Sequence, residues 1–149
     1  MDNTTNVDLA SSALKRSSRW LKGAFRALED GRWDDVVYSS QMTVEQASKA
    51  VLIALGVEYP RAHDVSAAFK QISKMRGVPR WFLSMLRELA GNISELAELR
   101  GLASYGYEKG LDAGYFEEYA PKAYEMAKEH YEACAKLLSE LYHINVDEI

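Results

Sequence analysis

The chain has little with which to brace a fold covalently. Among its 149 residues there is one cysteine, Cys134, so no disulfide can form within it. Only three prolines occur, Pro60, Pro79 and Pro121, which leaves long stretches free to run as unbroken helix. The longest apolar stretch, around Ala50–Val57, falls far short of the about 20 residues that a membrane-crossing helix needs. There is no glycine-rich phosphate loop, no Ser-His-Asp constellation and no Cys-x-x-Cys pair, which removes most familiar catalytic plans. No stretch alternates with the period of two that marks a strand, and no repeat at a solenoid period is found. The first residues, Met1-Asp2-Asn3-Thr4-Thr5, lack the basic-then-apolar pattern of a secretory signal. The expectation is a soluble, cytoplasmic protein with no resident cofactor and no metal.

What is there fits one helical domain over residues 1–149. The apolar share of 48% and charged share of 27% are those of a globular chain rather than a disordered one. A chain of this length buries roughly 68–70% of its unfolded surface, enough for a core without staples. The net charge of −4 does not suggest a dedicated nucleic-acid binder. The charge is uneven, however. From Arg61 to Arg87 the basic residues are Arg61, Lys70, Lys74, Arg76, Arg80 and Arg87, against the one acid Asp64. Beyond Arg87 acids dominate. Such tints are either solvated helix faces or a local basic surface for phosphate.

Apolar residues recur at helical spacing in five places. Ala10, Ala13, Leu14, Ser17, Leu21, Ala24 and Leu28 predict a helix over Val7–Glu29, with Asp8 as N-cap and Gly31 as its stop. Trp33, Val36, Val37, Ser40, Val44, Ala47, Val51 and Ala54 predict a second, over Trp33–Leu55, closed by Gly56. A short third helix covers Asp64–Lys74. A fourth spans Pro79–Leu102, with Gly91-Asn92 as a place to kink. Ser104–Gly114, rich in Gly and Tyr, reads as a loop, and a last helix runs over Pro121–Tyr142. Long helices joined by short loops favour an all-α, antiparallel up-and-down bundle of four to five helices.

Three stretches carry a resemblance. The second helix holds Thr43-Val44-Glu45-Gln46-Ala47-Ser48-Lys49-Ala50, with a Glu and a Lys set among alanines before an apolar run and Gly56. His63-Asp64-Val65 opens the third helix, and the fourth ends in Arg100-Gly101-Leu102-Ala103-Ser104-Tyr105-Gly106-Tyr107. In order and spacing these are similar to HEPN domains, from about Leu9 to Leu141. The resemblance implies a helical bundle that forms a homodimer. It also implies RNA or nucleotide as ligand, a ribonuclease or toxin role, and a nucleotidyltransferase-type partner in a toxin–antitoxin-like pair. It further implies that Arg100 binds phosphate at a cleft shared by two protomers, that Tyr105 and Tyr107 line that cleft, and that Glu45 orients Arg100. The sequence departs from the family's arginine–histidine motif in one place: Tyr105 stands where the histidine is expected. A free phenol ionises near pH 10 and is a poor general base at neutral pH, so metal-independent RNA cleavage through that position is weakened. The alternative is a catalytically inactive module for dimerisation or protein interaction.

Each of these residues also has a plainer reading. Glu45 could be a surface charge paired with Lys49 one turn on. Arg100 could pair with Glu95, Glu98 or the last carbonyls of its helix. His63 could cap or pack at the third helix, and His130 falls on a partly exposed helix face. The tyrosines could form a packing corner rather than a base-stacking platform. Cys134 is spaced as an inert core residue. Glu140-Leu141-Tyr142-His143 has the Glu-x-x-His step of di-iron bundles, but only one copy exists, so no metal site is expected.

Overall fold

A computed structural model describes residues 3–146, with side chains from Asn6 onward. Five α-helices form: α1 (Asn3–Asp30), α2 (Trp33–Leu55), α3 (Ser66–Lys70), α4 (Arg80–Tyr105) and α5 (Ala120–Tyr142). Short 3₁₀ turns cover Gln71–Lys74, Gly106–Lys109 and Ala113–Phe116, and no strand occurs among the described residues.

The four long helices run up, down, up and down. Ser17 on α1 donates a buried hydrogen bond to the carbonyl of Thr43 on α2 at 2.7 Å, which ties the late part of one helix to the middle of the other. Gly31, at φ +72°, makes the reversal between them, a conformation most side chains resist. Trp81 at the start of α4 donates to Glu140 near the end of α5, so those two are also antiparallel. The α2 helix is the hub, because it packs against α1, α4 and α5. The α2 and α5 helices point the same way and lie diagonally across the bundle. They touch because the seam is built of small residues: Ser40, Ala47, Ser48 and Ala50 meet Ala120, Ala123, Ala127 and Cys134, all buried. That diagonal contact holds α1 and α4 apart.

One end of the bundle is closed by α3. Phe69 and Ile72 are fully buried, and the Phe69 ring meets Phe82 of α4 at 6.0 Å. Burying a phenylalanine of this kind contributes about 1.5–3 kcal/mol.

The predicted bundle is the one observed, with differences at the joints. The first helix starts at Asn3 rather than near Asp8, since nothing in Asn3–Val7 interrupts a helix. The third is shorter, Ser66–Lys70, with a tighter 3₁₀ turn after it. Asp64 lies outside it and accepts the backbone N–H of Ser66 at 2.9 Å. Gly91 does not kink α4, because buried Leu89, Ala90 and Ile93 hold the helix straight on its inner face. The helix continues to Tyr105, and the expected loop after it is two 3₁₀ turns in place of irregular chain.

Candidate functional site

The face of α2 that looks toward α4 carries polar groups at successive turns: Tyr38, Gln41, Glu45 and Lys49. These positions recur every three or four residues and so share one side of the helix.

Arg100, in the last turns of α4, meets the first of them. Its Nη2 donates to the Tyr38 hydroxyl at 3.2 Å, and the guanidinium stands 4.9 Å from the centre of the Tyr38 ring. Trp20 of α1 backs Tyr38 edge-on at 5.9 Å. The arginine is thus held by stacking rather than by a carboxylate, which leaves its charge unneutralised. Its Nε is buried and has no hydrogen-bond partner among the described residues. The Ser104 hydroxyl, one turn on, is in the same condition. Two polar groups waiting side by side mark a place for an outside acceptor, for which a planar guanidinium is well shaped.

Tyr105 and Tyr107 are 58% and 69% exposed. Tyr105 comes five residues after Arg100, about 140° around the helix at 3.6 residues per turn, so within one protomer it faces away from the guanidinium. Tyr107 sits in the 3₁₀ turn that follows. The structure therefore joins Arg100 with Tyr38 and Ser104, not with Tyr105. Tyr38 was missed in the sequence because a tyrosine at a helical position reads as packing.

Glu45 lies two turns along α2 from Tyr38 and is not joined to Arg100. Its side chain is only 5% exposed. Its Oε1 accepts from Gln41 Nε2 at 2.8 Å and from His63 Nδ1–H at 2.7 Å, and its Oε2 accepts from Lys49 Nζ at 2.8 Å. Burial alone would raise the pKa of this carboxyl. The hydrogen bonds from Lys49, Gln41 and His63 outweigh that and hold it below the ordinary carboxylate range. The i,i+4 pairing with Lys49 is as read from the sequence, but the carboxylate is buried rather than on the surface.

His63 arrives from the loop before α3 and is half-exposed. It borders a shallow groove with Asp64, Ser94, Ala97 and Glu98. That groove shares Ser94 and Glu98 with a second one lined by Lys70 and Arg87. The whole basic stretch Arg61–Arg87 is exposed, but only these two of its cations approach the polar face.

His130 is a correction. It is fully buried, not partly exposed, because it points from α5 at the small residue Ser48 on α2. Ser48 donates to the Val44 carbonyl at 2.7 Å, so its oxygen accepts from His130 Nε2–H, also at 2.7 Å. The tautomer follows from that bond, leaving Nδ1 bare and unpartnered. Burial lowers the imidazole pKa to about 3. Cys134 is buried as expected, and burial pushes its thiol up, away from reactivity. Glu140 is used by Trp81, His143 caps α5 in a left-handed turn, and no His/Cys/Asp/Glu group suited to a metal occurs among the described residues.

The model of the HEPN domain matches residues 10–144. The chain belongs to the HEPN family. A protein of Methanocaldococcus jannaschii named a "putative toxin" is 31% identical over 135 residues, covering 91% of this chain and 84% of the relative. No solved structure matches the chain. No helix among the described residues of this HEPN domain is long and apolar enough to cross a membrane.

Proposed function

We propose that this HEPN protein is a toxin-type RNA-binding protein that works as a homodimer, with Arg100 as the phosphate anchor. The observation that carries the reading is the state of Arg100. It is stacked on Tyr38, unpaired by any carboxylate, and has its Nε idle beside the idle Ser104 hydroxyl. A phosphate oxygen satisfies both groups at once, and charge-assisted bonds to phosphate are the strong kind. Exposed Tyr105 and Tyr107 supply ring faces beside it on which unpaired bases stack. The likeness to a chain named as a toxin supports the toxin role, and family membership supports dimerisation about a shared cleft and a nucleotidyltransferase-type partner.

Binding of a labelled single-stranded RNA, followed by anisotropy across a salt series, tests this. Arg100→Ala is expected to weaken binding tenfold or more, in line with about 1.5–3 kcal/mol for a charge-assisted bond, and to flatten the salt slope. Unchanged affinity would remove Arg100 from the site. Light scattering checks the dimer, which weighs twice the 16.8 kDa of one chain.

The second reading, an inactive interaction module, is favoured by the tyrosine at position 105. It predicts no RNA binding by the wild type at all.

A further inference from the structure

We propose that Glu45 and His63 form the acid–base centre of a metal-free RNA cleavage, on a strand track that runs along α4 from Arg100 past His63 to Lys70 and Arg87. This rests on the RNA-binding reading above and names the catalytic residue that the tyrosine at position 105 cannot supply.

The geometry comes first. His63 Nδ1–H donates to Glu45 at 2.7 Å, which leaves the lone pair of Nε2 free and aimed outward on a half-exposed ring. A buried carboxylate that fixes the tautomer and orientation of an imidazole is the arrangement general-base catalysis requires. Glu45 is itself fixed by Gln41 and Lys49, so it cannot swing away. A structural histidine needs no such support: His130 is held by one hydroxyl in an apolar site.

The surroundings select the substrate. The charged groups around His63 are Glu45 and Lys49 from α2, Asp64 from its own loop, and Glu98 from α4. Asp64 and Glu98 repel phosphate from the immediate groove wall. Ser94 and the bare surface of Ala97 leave room there for a neutral sugar. Phosphate is welcome on either side. Arg100 lies toward one end of α4, and Lys70 with Arg87 border the adjoining groove toward the other. Arg87 and Arg100 are thirteen residues apart, about 20 Å at 1.5 Å per residue, and Ser94 to Glu98 fall between them. A polymer with phosphates at intervals and a hydroxyl between them fits this order of charges. That polymer is RNA in single-stranded form.

In the step, His63 Nε2 takes the proton of a ribose 2′-hydroxyl. The 2′-oxygen attacks the adjacent phosphorus, the O2′–P bond forms and the P–O5′ bond breaks. The products are a 2′,3′-cyclic phosphate and a 5′-hydroxyl end. The departing oxygen takes a proton from water, and the imidazolium returns its proton to solvent. No electron changes hands, and no co-reactant is needed.

The test is cleavage of a mixed single-stranded RNA pool by the full chain in EDTA, with RNA affinity measured on the same samples. His63→Ala is expected to lower the cleavage rate by on the order of a hundredfold while leaving affinity within about twofold. Added imidazole is expected to restore part of the rate to His63→Gly. Glu45→Gln, a positioning variant, is expected to lower kcat rather than raise KM and to change the shape of the pH profile; a melting scan confirms that it folds. Cleavage by His63→Ala at the wild-type rate would overturn the proposal and leave the binding reading intact. RNA binding without cleavage by the wild type would do the same. Failure of the wild type to bind RNA would overturn both.

Discussion

The protein's two hydrogen-bonded histidines sit on opposite faces of one helix and have opposite surroundings. On the α5 side of α2, His130 is sealed among small apolar residues with a single hydroxyl as partner, and burial lowers its pKa to about 3. On the α4 side, His63 rests on a carboxylate and keeps half its surface in water. Desolvation without a counter-charge makes an imidazole a neutral wedge. A carboxylate partner together with access to solvent makes one that can exchange a proton with a ligand. The same contrast holds along the rest of each face. The α5 side is filled by alanine and serine, whereas the α4 side leaves Gln41 Oε1 and Arg100 Nε without partners. The first face is built for close approach and the second for something not yet in place.

Acid should break the sealed face first and hardest. Unfolded His130 takes up a proton near pH 6.5, whereas the folded one resists until about pH 3. Between those values the unfolded state binds more protons, so stability is full above pH 6.5 and is lost on acidification, by roughly 1.4 kcal/mol per pH unit at most. Denaturant melts from pH 7 to pH 4 measure this, and His130→Gln is expected to flatten that part of the curve. Ser48→Ala probes the same face more gently. It strips the acceptor from His130 Nε2–H and should cost about 1–3 kcal/mol in the same melts at pH 7. The polar face should be less sensitive. Tyr38→Phe keeps the ring under Arg100 and removes one hydrogen bond, so stability should fall by about 0.5–1.5 kcal/mol. RNA affinity should change by less in Tyr38→Phe than in Arg100→Ala, since the guanidinium stays stacked. A larger loss in Tyr38→Phe than in Ser48→Ala would reverse the comparison.

Helical periodicity made the architecture legible. The stripes on α1, α2 and α5 gave both the helices and their inward faces, and Gly31 and Gly56 gave two of the stops. The ends of α1, α3 and α4 shifted by a few residues, because a helix end depends on what packs over it. The site was legible only in parts. Arg100, Glu45 and His63 each stood out from the sequence, but their partners did not. The Glu45–His63 bond spans eighteen positions and depends on a loop folding back onto α2. The Arg100–Tyr38 stack spans sixty-two and depends on α2 lying antiparallel to α4. The assignment of Glu45 to Arg100 followed the resemblance, whereas the fold spends that carboxylate on Lys49, Gln41 and His63. The burial of His130 was missed because α5 turns one further column of residues toward α2 than its strongest stripe suggests.

The claim that the two faces of α2 differ in kind is tested most directly by following the histidine ring signals in NMR while single-stranded RNA is added. The account predicts that the His63 signals move with RNA and that His130 keeps the shifts of a neutral Nε2–H ring, unchanged by RNA and by acidification to pH 5. A His130 that responds to RNA while His63 stays still would contradict it.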